Sequence, residues 1–171
     1  MDATEVLVDL YGRLPELVHR AVDGLRPDQL VEAPREGANT IGWLVWHLTR
    51  VQDAQVADVA GAKQLWVSDG WAKRFGRSPD PADHGYGHTP EQVASIRPES
   101  AELLVEHFEA VHERTMNYVW LLTADDLDRV VDEDWNPPVT LGVRLVSIAD
   151  DCLQHAGQAA YARGLIEGPG R

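Results

Sequence analysis

An aspartate and a histidine stand four residues apart in "SIADDCLQHAGQ", residues 147–158. On a helix four residues is about one turn, so Asp151 and His155 project from the same face. Leu145, Ile148, Cys152 and Ala159 share that face, which makes it the side turned towards a core. A carboxylate and an imidazole placed there lose water, and each needs a partner to offset the loss. A further histidine, His47, lies three residues after Leu44 and four before Val51, inside the apolar stripe of "TIGWLVWHLTRVQDAQVADVAG". His47, Asp151 and His155 together make a two-histidine, one-carboxylate set drawn from two helices. Imidazole nitrogen and carboxylate oxygen suit a divalent metal, zinc foremost, with nickel, iron or manganese as alternatives. Three protein ligands leave coordination positions open for chemistry. A cation also offsets the desolvation of the carboxylate and takes a lone pair from each imidazole. The competing reading is a plain core, with His47 satisfied by one hydrogen bond and Asp151 paired with Arg144 or another cation.

The remaining candidates carry less. His19, His107 and His112 sit among charged helical neighbours and read as solvated or rim positions. His84 and His88, in "DHGYGH", have a metal pair's spacing, but the Gly-Tyr-Gly between them opposes a helix. They read as a flexible loop outside the site. Cys152 reads as a small buried apolar residue rather than a nucleophile. Trp43, Trp46 and Trp71 either wall a pocket or pack a core. Arg144 either meets an anionic group of a substrate or thiol, or forms a salt bridge. Lys73, Arg74 and Arg77 form the basic cluster "AKRFGR", which reads as a solvated loop rather than a lip for an anion.

Four segments of helical periodicity must position these groups. The first covers about residues 2–23, with Val6, Leu10, Leu14, Leu17 and Val18 as its stripe and a kink or break after Leu14, imposed by Pro15. Asn39 or Thr40 caps the second, and Gly61 stops it. The third starts near "TPEQVASIRPES", breaks at Pro98, and runs to about Leu122. The fourth spans roughly 141–166. Strand-like alternation is confined to "RVVDEDW". The pattern predicts a single all-α domain over residues 1–171, a four-helix bundle. About 28 residues, "AKQLWVSDGWAKRFGRSPDPADHGYGHT", separate the second and third helices. A crossover that long lets those helices run parallel, giving an up-down-down-up order. Its Trp66, Trp71 and Phe75 predict that it packs, and a packed loop can cover a site.

Composition narrows the function classes. The chain has 171 residues, 44% of them hydrophobic and 25% charged, as in ordinary soluble domains. A formal net charge of −13 argues against nucleic acid or an anionic membrane as a partner. No stretch approaches the roughly 20 apolar residues of a membrane span, and "MDATEVLVDLYGRL" lacks the features of a signal peptide. The single cysteine allows no intrachain disulfide, consistent with a reducing, cytoplasmic setting. An apolar helix face leaves a homodimer open.

"NTIGWLVWHL", followed about a hundred residues later by "TLGVRLVSIADDCLQHAGQAAYARGLI", resembles the DinB/YfiT-like superfamily of small metal-binding four-helix proteins. Within it the chain is most similar to the actinobacterial branch of mycothiol S-transferases and mycothiol-dependent maleylpyruvate isomerase. The resemblance implies an up-down-down-up bundle and a metal triad carried over as His47, Asp151 and His155. Many members have histidine at the position of Asp151 and the isomerase has glutamate; Asp151 keeps the carboxylate, one methylene shorter. Gln158 is implied either as a hydrogen-bonding partner of the ligands or as helix packing, and Gly157 as a point of close helix approach. The implied activity is thiol transfer: a low-molecular-weight thiol, mycothiol, is activated at the metal and attacks an electrophilic substrate, with Trp43 and Arg144 near the cosubstrate. The alternatives are a metal-dependent hydrolase, a mycothiol-dependent isomerase, and a non-enzymatic metal- or ligand-binding stress protein.

Overall fold

The computed structural model describes residues 2–168. Among the described residues the chain is mostly helical, as the periodicity predicts, and the all-α expectation is modified by one small two-stranded sheet that begins in the stretch of strand-like alternation. Asp2 begins α1 (Ala3–Gly12) with a reciprocal capping box to Glu5. Arg13 separates α1 from α2 (Leu14–Val22), where Pro15 occupies the first turn, the place in a helix that tolerates it. The break therefore falls one residue before the predicted one. The buried stripe is also phased differently. Leu7 and Tyr11 face the core while Val6 is exposed, and the Tyr11 hydroxyl donates to the Leu145 carbonyl at 2.8 Å. Alternating small apolar residues make this phase ambiguous until the partner helix is known.

A one-turn α3 (Pro27–Leu30) leads to α4 (Ile41–Ala60). Thr40 caps α4 by accepting from the Trp43 N–H, and Gly61 ends it in the left-handed conformation at φ 62°. The crossover contains two single turns, α5 (Leu65–Ser68) and α6 (Trp71–Arg74). Beyond it lie α7 (Pro90–Ser95) and α8 (Ala101–Val119), separated around Pro98, and then a 3-10 turn at Asp125–Asp128. Strands β1 (Val130–Asp132) and β2 (Val139–Thr140) pair antiparallel, Val130 opposite Thr140. Thr140 then caps α9 (Leu141–Glu167), so the sheet delivers the start of the last helix. At 27 residues α9 is about 40 Å long.

Helix α4 packs against both α8 and α9, and α2 packs against the same two. The α4–α9 contact is the most extensive, and it brings the face of His47 onto that of Asp151 and His155. Among the described residues, no helix is long and apolar enough to cross a membrane.

The crossover is fastened from beneath by charge. Arg50 and Asp53 on α4 are both fully buried and bond each other at 3.1 Å. Asp53 also accepts from the Leu65 and Trp66 N–H groups, both at 2.9 Å, and from Arg114 at 2.6 Å. The Arg50 guanidinium lies 4.7 Å from the Trp66 ring centre, and burial pulls its pKa down to about 10, still charged at neutral pH. His107 corrects the sequence reading. It is not a rim residue but fully buried, packed among Trp66, Trp71 and Phe75, with neither ring nitrogen partnered. Its charged neighbours Glu106 and Glu109 face elsewhere, to Arg74 and His19. The basic cluster is likewise more than solvated loop, since Arg74 and Arg77 lie over Trp71 and Trp46.

Candidate metal centre

One ligand atom from each of His47, Asp151 and His155 lies within 4.8 Å of the other two. Two helices supply all three: α4 gives His47, and one turn of α9 gives Asp151 and His155. The hydrogen bonds around the set decide which nitrogens face inward. Nδ1 of His47 bonds the backbone carbonyl of His84. A carbonyl can only accept, so Nδ1 carries the proton and Nε2 keeps its lone pair. Nδ1 of His155 stands 3.0 Å from Oε1 of Gln158, also an acceptor, and the same logic turns its Nε2 towards Asp151. That Nε2 lies 3.5 Å from Oδ1 of Asp151. Trp43 stacks on His47 with ring centres 4.6 Å apart and meets His155 edge-on at 6.2 Å.

Electrostatics separate the two imidazoles. Burial lowers the pKa of His47, against a partial opposing effect from the His84 carbonyl. Burial also lowers that of His155, but its hydrogen bonds to Asp151 and Gln158 outweigh burial and the net shift is upward. Asp151 holds the diagnostic atom. Its Oδ2 is buried with no hydrogen-bond partner. An ionised oxygen left so is costly, and a cation shared with two imidazole lone pairs would satisfy it. The donor set fits a divalent metal of the zinc-to-manganese series.

The plain-core alternative gives His47 one hydrogen bond, which the His84 carbonyl supplies, and pairs Asp151 with Arg144 or another cation; the ion pairs of Arg144 run elsewhere. Arg144 meets Asp132 at 3.0 Å and Asp58 at 3.6 Å. It nevertheless lines, with His47, Asp151, His84, Tyr86 and Val51, a cavity of about 430 Å³. Two of the three prospective ligands, His47 and Asp151, therefore border a space sized for a small molecule. A larger recess of about 610 Å³ lies over the crossover, but its polar groups are spent on one another. Arg77 pairs with Asp83, Asp83 with His88, and His88 with the Trp43 indole.

Other candidates resolve plainly. Cys152 is fully buried, and burial pushes its thiol pKa far up, as an inert packing residue requires. Gly157 makes no close approach, because a Cβ added there meets nothing within 4 Å. Among the glycines of the long helices the tightest is Gly42, against the Leu30 carbonyl and Pro98. The loop of His84 and His88 sits against the centre, contrary to the sequence reading. Its signal was a pair of glycines bracketing Tyr86, which a chain needs for close backbone approach as much as for flexibility.

Fold and site define a helical protein with a candidate divalent-metal centre at a cavity mouth. The chain belongs to the mycothiol S-transferase family, within the DinB-like proteins; the family's model matches residues 7–168. A crystal structure of a conserved protein from Enterococcus faecalis is 31% identical, with a TM-score of 0.90 over 98% of this chain and 99% of that one. No functionally curated protein matches.

Proposed function

We propose that this protein is a cytoplasmic, divalent-metal-dependent thiol transferase that joins a low-molecular-weight thiol, mycothiol, to an electrophilic carbon of a second small molecule. The observation that carries the reading is the orphaned Asp151 Oδ2 beside two inward Nε2 lone pairs, at the mouth of a cavity, in a chain of this family. His47, Asp151 and His155 would hold the metal, zinc foremost. When bound, such an ion lowers the pKa of a thiol and so supplies thiolate near neutral pH.

The chain's own residues do the rest. Gln158 and the His84 carbonyl fix the imidazole tautomers. Trp43 closes one side of the centre by stacking on His47 and limits water there. Arg144, with Asp132 and Asp58 balancing its charge, gives the cavity a fixed polar wall rather than a free cation. The nucleophile belongs to the cosubstrate, in keeping with a buried and unreactive Cys152. The same reading takes the long helices as an up-down-down-up bundle with the crossover over the site.

The test is metal content by elemental mass spectrometry, on protein purified without chelator, for wild type, His47→Ala and His155→Ala. Near-stoichiometric metal in wild type, lost in both folded variants, supports the centre; a wild type that cannot be loaded overturns it. Product masses with a thiol and a panel of electrophiles then separate the reactions. Transfer retains the thiol in the product, isomerisation returns it, and hydrolysis proceeds without it.

A further inference from the structure

Three consecutive crossover residues, Asp83, His84 and Gly85, pass beside the candidate centre, and the contact with His47 is made by backbone. The His84 carbonyl takes the proton of His47 Nδ1. Gly85 follows, buried at φ +96°, and a Cβ there would lie 2.6 Å from that same Nδ1 and 3.1 Å from the Trp43 and Trp46 rings. No side chain fits between this segment and His47.

The segment is also pinned. Arg50 donates through Nε to the Asp83 carbonyl at 3.1 Å and through Nη2 to Pro81 at 3.4 Å. The Asp83 carboxylate is gripped by Arg77 at 2.9 and 2.8 Å and by His88 Nε2 at 3.1 Å. His88 in turn accepts from the Trp43 indole at 3.1 Å. Buried α4 charge thus fixes the loop, and the loop fixes an α4 imidazole three residues earlier in the chain than Arg50.

We propose that Asp83–His84–Gly85 is a positioning saddle: it holds His47 as the Nδ1–H tautomer with Nε2 turned to the metal, and Gly85 is the residue that makes the approach possible. The saddle rests on the metal reading above for its purpose, but it exists in the metal-free protein. Orienting a ligand before the ion arrives removes an ordering cost from binding, and groups in this position typically govern metal affinity by about 10–100-fold.

Gly87 provides an internal control. It lies in the same loop at φ +73°, yet an added Cβ meets nothing within 4 Å. Gly85→Ala and Gly87→Ala both place a Cβ at positive φ in the same loop, and only the first pushes on His47. Protein labelled with ¹⁵N-histidine gives the tautomers directly from two-bond ¹H–¹⁵N correlation at pH 8, metal-free and zinc-loaded. Competition with a chromophoric chelator gives zinc affinity. The expected result is Nδ1–H at His47 in wild type and Gly87→Ala, with Gly85→Ala losing that state and binding zinc about 10–100-fold more weakly. An Nε2–H tautomer in metal-free wild type overturns the saddle, as do equal affinity losses in the two variants. Should Gly85→Ala fail to fold, the wild-type tautomer decides the matter alone. If wild type binds no zinc, the metal reading falls, while the metal-free spectrum still decides the saddle.

Discussion

At Asp151 a single atom separates stability from function. Its Oδ2 is buried and unpartnered, so the metal-free protein carries a desolvated carboxylate oxygen without recompense. Asp151→Asn keeps the shape and removes the charge. The metal-free variant should be at least as stable as wild type, by up to about 1 kcal/mol in urea unfolding. Its zinc affinity should fall at least tenfold in chelator competition, and a variant losing both stability and metal would contradict the assignment. Gln158→Ala probes the opposite case. Gln158 is exposed, so stability should move by no more than about 0.5 kcal/mol, while the freed His155 tautomer weakens zinc by about 10–100-fold. Residues of this kind were legible in the sequence because a helix converts spacing into a shared face. The His84 carbonyl was not, because a backbone oxygen has no residue type and the glycine that admits it looks like any turn glycine.

Elements are read well where periodicity is long and poorly where a short turn borrows its stability from elsewhere. Helices α4 and α9 match their predicted spans, and for α4 Thr40 and Gly61 mark the ends in sequence. The single turn α5 carries too few residues to nucleate alone and is held instead by Asp53 and Arg50, which sequence pattern reads as ordinary helix charges. His107 was misread for the same reason, since the aromatic residues that bury it arrive from that crossover. This makes the crossover's anchorage testable. Arg50→Met removes the guanidinium and leaves Asp53 with Arg114 alone as its charge partner, in a fully buried position. Breaking a buried pair this way costs about 3–5 kcal/mol. Urea unfolding should show that loss, and hydrogen exchange should show the Leu65 and Trp66 amides opening first. A loss under about 1 kcal/mol would mean the crossover holds itself in place.

Across the whole molecule the histidines give stability a direction in pH well above the carboxylate range. Burial depresses the pKa of His47, His84, His107 and His112, while His19 and His155 are raised by their carboxylate and amide partners. For a depressed histidine the unfolded chain takes the proton first. Its contribution is complete above the unfolded value near 6.5 and is lost as pH falls towards the folded one. A raised histidine works in reverse, contributing below about 6.5 and losing that contribution as pH rises through its folded value. His107 dominates the depressed group because it is fully buried with no partner for either nitrogen and with Arg50 and Arg74 repelling its proton. His19 offsets little, since it shares its proton with Glu109 and Asp23 in reach of solvent. The metal-free protein should therefore lose unfolding free energy between pH 6.5 and 5, with His107 supplying up to about 1.4 kcal/mol per pH unit of that slope. Urea titrations at three pH values across the window, on wild type and His107→Phe, measure it. The variant should lie flatter by about that amount, and an unchanged slope would show that His107 accepts its proton in the folded state without cost.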